Sequence, residues 1–193
     1  MNDFLVVNIQ DLIQQLGDEN VFFLLNSFSA PKNKEIEKFI HERAVDFVKR
    51  KLAVTYIVLD SDGDCAAYFT LANKALEFPA ATMSQSTRKR IERYSKFNEE
   101  SGSYIVPAFL LAQFGKNNSY NEKQILSGNT LMDFVFEVVS NIQYMIGGGI
   151  LYLECEDNKF LLDFYQNSHN GFHLFGERKS DSDTQYKLLY KFI

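Results

Sequence analysis

The sequence predicts a mixed α/β fold, a sheet carrying helices on both of its faces. Three observations predict it. Continuous apolar runs of strand character alternate with stretches whose apolar residues recur every three or four positions. Turn residues punctuate the joins, as in Asp60-Ser61-Asp62-Gly63-Asp64 and Asn170-Gly171-Phe172. And 46% of the 193 residues are hydrophobic, with 18 Phe and 10 Tyr, enough to fill a sizeable core without disulfide or metal staples.

Residues 4–9 read as a short apolar strand. Asp11 reads as the N-cap of a short helix that Gly17 stops, and 21–25 as a compact apolar strand. After the turn at Ser27-Phe28-Ser29-Ala30-Pro31, one helix is expected from Lys32 to about residue 51. Ile36, Phe39, Ile40, Ala44, Phe47 and Val48 share its apolar face, and Lys49-Arg50-Lys51 suits its C-terminus. Segments 54–60 and 65–71 pair as a hairpin across the Asp-rich turn. That turn is too short for an EF-hand loop and lacks its downstream acid, so its three aspartates read as turn chemistry rather than calcium ligands.

Residues 72–103 read as a polar, irregular insertion in a single domain spanning 1–193. A helix opens there at Ser84-Gln85-Ser86-Thr87 and carries Arg88, Lys89, Arg90, Arg93 and Lys96 against one acid, Glu92. Residues 104–114 form a long strand edged or bent at Pro107, and 115–119 a loop. A long helix follows Ser127-Gly128-Asn129-Thr130, with Leu131, Phe134, Val135, Val138, Val139, Ile142 and Met145 as its stripe and Gly147-Gly148-Gly149 as its end. A buried strand over 150–155, a helix capped from Asp157-Asn158, a turn at 170–172 and a last strand over 185–193 complete the order. No internal repeat is visible.

Charge and composition narrow the function. A net charge of -5 argues against a globally basic nucleic-acid binder while leaving a local basic face open. Cys65 and Cys155 form no CxxC pair, and His41, His169 and His173 are scattered. His169 and His173 stand four apart, but in an Asn- and Gly-rich stretch that does not read as a helix, so no metal site is expected. The start, MNDFLVVNIQDL, lacks the basic and apolar regions of a signal peptide, and no window is apolar enough to span a membrane. The expectation is a soluble, cytoplasmic, reduced protein.

The chemistry concentrates in 104–175. A strand runs into a loop, and Ser127-Gly128-Asn129-Thr130 opens a helix whose first amides are orphan donors at the positive end of the macrodipole. That is a seat for a pyrophosphate, with Gly128 permitting close approach and Lys116 and Lys123 adding counter-charge. A single glycine before a helix is more often only a turn. A second strand-helix-turn unit adds weight: Asn158 lies seven residues before Tyr165, and Phe164-Tyr165-Gln166-Asn167 is followed by Gly171-Phe172.

This order resembles the GCN5-related N-acetyltransferase (GNAT) family, in which Asn, about seven residues, Tyr and then Gly-Phe follow the fifth strand. The front half resembles a subgroup of that family that includes bacterial toxin acetyltransferases: Phe28-Ser29 ahead of 36–44, and the hairpin segments Thr55-Tyr56-Ile57-Val58 and Ala67-Tyr68-Phe69-Thr70-Leu71. Two departures stand out. The family's phosphate loop places Lys123 where Gln or Arg is usual and Leu126 where a Gly is usual, and the Tyr165-to-Gly171 spacing is two residues longer.

The resemblance implies a GNAT-like, mostly antiparallel sheet splayed between central parallel strands, and acetyl-CoA as co-substrate. It places Phe114, Gly115, Lys116, Lys123, Gln124, Ser127, Gly128, Asn129, Thr130 and Asn158 at the cofactor. It makes Tyr165 the general acid that protonates the departing thiolate; a core-packed aromatic is the alternative role for that residue. Glu154, Glu156 and Asp157 are the nearest candidates for the base. The acceptor is an amine on a small molecule, a protein or, as in toxin-type relatives, aminoacyl-tRNA. No membrane partner is expected, and a homodimer through the aromatic C-terminal strand is open. The competing function is a GNAT-like regulatory or protein-binding module that has lost catalysis.

Overall fold

The computed structural model describes residues 4–119, 126–180 and 183–193, the side chain of Thr82 aside. Among them are strands β1 (Leu5–Asn8), β2 (Val54–Leu59), β3 (Cys65–Pro79), β4 (Phe97–Asn98), β5 (Ser103–Lys116), β6 (Ile150–Glu156), β7 (His173–Lys179) and β8 (Gln185–Phe192). The α-helices are α1 (Ile9–Asn26), α2 (Lys34–Glu42), α3 (Ala44–Lys49), α4 (Gln85–Ile91), α5 (Gly128–Ile146) and α6 (Lys159–Gln166). The described strands join in the order β1-β2-β3-β5-β6-β8-β7, with β4 pairing β5 off that path. The sheet is mostly antiparallel, and its β5–β6 pair is parallel. The predicted mixed α/β class is therefore observed.

The chain forms two compact units: Met1–Ala72 with Ala112–Val135, and Asn73–Leu111 with Phe136–Ile193. In the first, the core gathers around Phe28, Ile40, Ile57 and Tyr68, each at most 1% exposed. Phe28 meets Tyr68 edge-on at 4.9 Å between ring centroids, and the Tyr68 hydroxyl donates to the carbonyl oxygen of Ile36 at 2.7 Å. The Asp60 carboxylate accepts from the amides of Asp62 and Asp64, both at 2.9 Å, so this acid closes the β2–β3 turn as turn chemistry requires.

Three local expectations are corrected in this unit. The cap of α1 is Asn8, whose side chain accepts from the Gln10 amide at 2.8 Å, while Asp11 falls in the first turn. The run 21–25 is helix, not strand. The chain breaks at Gly17 (φ 78°, ψ 164°) and re-enters a helix, burying Val21 and Leu25 four residues apart and leaving Phe23 83% exposed. A short apolar run carries no period of its own, and the burial of every fourth residue here is helical. The single helix expected over 32–51 is two, α2 and α3, parted at Arg43 (φ -121°, ψ -29°). Across the break Phe39 and Phe47 meet edge-on at 5.4 Å.

In the second unit, β3 extends to Pro79, through the start of the stretch expected to be irregular. Leu76 and Phe78 are buried there while Glu77 is exposed, the alternation of a strand with one covered face. Ser84 caps α4 as expected, accepting from the Thr87 amide at 3.2 Å. Strand β7 has no counterpart in the sequence reading. Its residues are half-buried or exposed and largely charged toward the end, so it shows no apolar signal, and its pairing with β8 defines it. Gly149 of the triple-glycine stop is crowded by Tyr94: a Cβ there would lie 2.2 Å from the ring.

Candidate functional site

The residues that the sequence marks for a cofactor fall in the first unit, Asn158 apart. Phe114 and Gly115 are half-buried at the end of β5, and Lys116 is exposed. Gly115 is needed for packing: a Cβ would lie 2.9 Å from Ile36 Cγ2 and 3.4 Å from Phe28 Cζ. The Lys116 ammonium donates to the carbonyl oxygen of Leu126 at 3.2 Å, which ties the strand's end to the chain just ahead of α5. Lys123 and Gln124 lie outside the described residues.

The start of α5 is closed by its own sequence. The Ser127 hydroxyl accepts from the Thr130 amide at 3.0 Å and pairs with the Thr130 hydroxyl at 2.8 Å, so one of the helix's orphan donors is already satisfied. Gly128, Asn129 and Thr130 are half-exposed, while Leu126, the bulky departure from the family loop, is 5% exposed.

Asn117 was not singled out from sequence, yet it organises this loop. Its side-chain oxygen accepts from the amides of Ser29 and Ser119, both at 2.9 Å, and its nitrogen donates to the carbonyls of Cys65 at 2.8 Å and Ser27 at 3.2 Å. The only signal was the turn-prone Gly-Lys-Asn-Asn string, which any surface loop could show.

The residues marked for acid–base work fall in the second unit. Strand β6 delivers the chain to Asn158, whose side chain accepts from the Phe160 amide at 2.8 Å and caps α6. In its last turn stands Tyr165, 8% exposed, with Phe164 and Phe172 edge-on at 5.0 and 5.9 Å. Burial pushes the Tyr165 phenol well above the ordinary tyrosine value, with the nearby Cys155 thiol adding in the same direction. A phenol so placed is fully protonated at neutral pH.

The turn after α6 holds that tyrosine. The Phe172 amide donates to the Tyr165 carbonyl at 3.0 Å, and the Asn170 side-chain nitrogen donates to the Phe164 carbonyl at 2.7 Å. Asn167 accepts from the Asn170 amide at 2.7 Å, so the longer Tyr165-to-Gly171 spacing builds an Asn-capped turn. From β8, Lys191 donates to the Asn170 carbonyl at 2.7 Å and lies 4.8 Å from the Phe136 ring centroid; burial pulls its pKa down. Asn170 was legible as a turn residue, but its partnership with Lys191 was not, because it joins β8 to a turn far from it in the chain.

Two of the three candidate bases are held in ion pairs. Glu154 pairs with Arg178, the guanidinium Nε at 2.6 Å, and Asp157 pairs with Lys187 at 3.2 Å. Glu156 is exposed. His41 is half-buried, with Nε2 2.8 Å from the Phe28 carbonyl oxygen. The β5–β6 parallel register runs from Phe109↔Leu151 to Leu111↔Leu153, and β5 itself continues to Lys116.

No protein-family model matches the chain, and no curated protein matches it in sequence. Solved structures match it in fold. AtaT complexed with acetyl-methionyl-tRNAfMet is 17% identical, with a TM-score of 0.66 over 96% of this chain and 94% of that one. AtaTR bound with acetyl-CoA is 16% identical, with a TM-score of 0.61 over 100% and 94%. A mutant of KacT is 17% identical, with a TM-score of 0.67 over 100% and 95%. At these identities the likeness is one of fold, and across nearly its whole length this chain folds as the GNAT-type toxin acetyltransferases AtaT and KacT do.

Proposed function

We propose that the chain is an acetyl-CoA-dependent N-acetyltransferase, with Tyr165 as its general acid and the amino group of an aminoacyl-tRNA as its acceptor. The observation that carries this reading is the likeness in fold, over almost all of both chains, to AtaT solved with acetyl-CoA and with an acetylated tRNA.

The residues present are compatible with the donor. Gly128 and Asn129 are half-exposed at the head of a 19-residue helix, Lys116 stands exposed beside it, and the bulk of Leu126 is turned into the protein. Amides and a cation in that arrangement suit a pyrophosphate. Acetyl-CoA, when bound, supplies an activated acyl carbon and a thiolate leaving group. The attacking amine forms the C–N bond as the C–S bond breaks. Tyr165 gives its phenol proton to the departing sulfur, and the proton shed by the acylated nitrogen returns to the phenol through solvent. A phenol is protonated at neutral pH, which is the state an acid must start from. Glu154 and Asp157, held by Arg178 and Lys187, order the β6 end, and the amine arrives neutral.

Calorimetric titration with acetyl-CoA is the first test. Binding is expected, and Lys116→Ala should weaken it by roughly tenfold, the worth of a hydrogen bond to a charged group. Induced expression should arrest growth and leave acetylated aminoacyl-tRNA. Binding without CoA release across a panel of amines, charged tRNA included, would leave the non-catalytic module as the function.

A further inference from the structure

A cleft of about 470 Å³ opens in the second unit, between α4 and the β7–β8 hairpin. Its size lies within the range of small-ligand pockets. Its walls are aromatic and cationic: Phe175, Tyr190 and Phe192 line it together with His173, Arg90 and Thr87. The Arg90 guanidinium lies 3.7 Å from the Phe192 ring centroid, a stacked pair that presents a flat, charged outer face. His173 is exposed, its ring 5.9 Å from that of Tyr190. The Thr87 hydroxyl pairs with the Tyr190 hydroxyl at 3.5 Å and with the Ser84 hydroxyl at 2.9 Å, which fixes this wall of the cleft.

The chain segment that contributes Arg90 to the cleft is rich in cations. Helix α4 and the residues after it carry Arg88, Lys89, Arg93 and Lys96 in addition to Arg90. The one acid among them, Glu92, accepts from the Tyr104 hydroxyl at 2.9 Å and so is occupied on the β5 side. Of these cations Arg90 lines the cleft, Arg88 lies over the Phe97 ring at 5.8 Å, and Lys89, Arg93 and Lys96 are exposed. Flat aromatic and guanidinium surfaces beside a run of cations form a stacking platform flanked by phosphate counter-charge, the combination that holds unpaired nucleotides.

From this we infer that the cleft binds an unstacked base of a single-stranded RNA segment, seated against Arg90 and His173, with the exposed Lys89, Arg93 and Lys96 carrying the backbone phosphates. As part of acceptor recognition this rests on the transferase reading above; as an RNA-binding surface it stands on the cleft alone.

The test uses the full chain without acetyl-CoA and a fluorescein-labelled single-stranded RNA heptamer, read by anisotropy against a duplex of the same sequence. The single strand is expected to bind more tightly than the duplex, with an affinity that falls steeply as salt rises. His173→Ala and Arg90→Gln should each weaken binding of the single strand by about tenfold, the worth of one lost stacking surface. Lys89→Gln should lower the salt slope with a smaller loss. Circular dichroism melting of each variant confirms that it is folded. Equal affinity for strand and duplex, or unchanged affinity in the folded His173→Ala and Arg90→Gln proteins, would overturn the inference. Acetyl-CoA titration of the same variants separates the two claims. Cofactor binding without RNA binding defeats only this inference, and RNA binding without cofactor binding defeats only the transferase reading.

Discussion

Tyr68 in the first compact unit and Tyr165 in the second are both buried, and the two are held in different ways. Tyr68 is completely covered, clasped by Phe28 and Phe39, with its hydroxyl spent on the Ile36 carbonyl of α2. Tyr165 keeps 8% of its surface, ends a short helix, and is steadied through its backbone by the turn at 170–172 and Lys191. Burial raises the phenol pKa in both. A raised pKa therefore does not distinguish an acid from a packing residue. The Tyr68 hydroxyl donates to a carbonyl of α2, and the main chain at Tyr165 is braced by the turn that follows α6.

The largest expected effect puts that contrast to work. Tyr165→Phe should lower turnover by about 10²- to 10⁴-fold, the ordinary worth of a general acid, while acetyl-CoA affinity by calorimetry stays within about twofold. Retained turnover would make Tyr165 a second Tyr68. Tyr68→Phe should show the mirror image. It removes the donor to a buried carbonyl and should cost about 1–3 kcal/mol of stability in urea unfolding, with turnover per folded molecule unchanged.

Smaller effects sharpen the comparison. Lys191→Met should loosen the turn behind Tyr165 and lower kcat on the order of tenfold with little change in KM, since a displaced acid harms the chemical step more than binding. The same split, restored toward wild type in Lys191→Arg, would mark a positioning role. On the other side, Glu37 supports the helix that receives the Tyr68 hydroxyl. Its carboxylate accepts from Lys34 at 2.8 Å, from the Ala30 amide at 2.6 Å and from Ser29 at 3.3 Å, and these hold its pKa down at about 2 from 4.5. A carboxylate lowered on folding stabilises above its unfolded pKa and loses that contribution as pH falls from 4.5 through about 2. Urea unfolding across that range should therefore decline less steeply in Glu37→Gln than in wild type. Identical slopes would mean that the α2 contacts matter little to this core.

Much of the Tyr165 side was legible in the sequence because its determinants are local. Asn158 caps the helix it precedes, the α6 apolar residues recur at helical spacing, and Gly171 takes φ +64° in the turn. The helix after Ser127 was legible for the same reason. Other elements were not. The run 21–25 is too short for its apolar residues to reveal a period, and its helix depends on burial of Val21 and Leu25 against the first core. Strand β7 carries exposed and charged residues, and only β8 beside it makes it a strand.

By itself, the amino-acid sequence determined the alternation of elements, most of their boundaries, and the order of motifs that points to acyl transfer. Each of these rests on residues within a turn or two of one another. Tertiary structure alone decided which cations are engaged, that Lys191 braces the turn behind Tyr165, that Tyr94 covers Gly149, and that Arg90 and His173 meet across one cleft. Those partners lie tens of residues apart, and periodicity along a chain carries no information about which distant side chain fills the space above a given face. That is settled when the apolar faces pack, and with it the chemistry each buried or exposed polar group is free to perform.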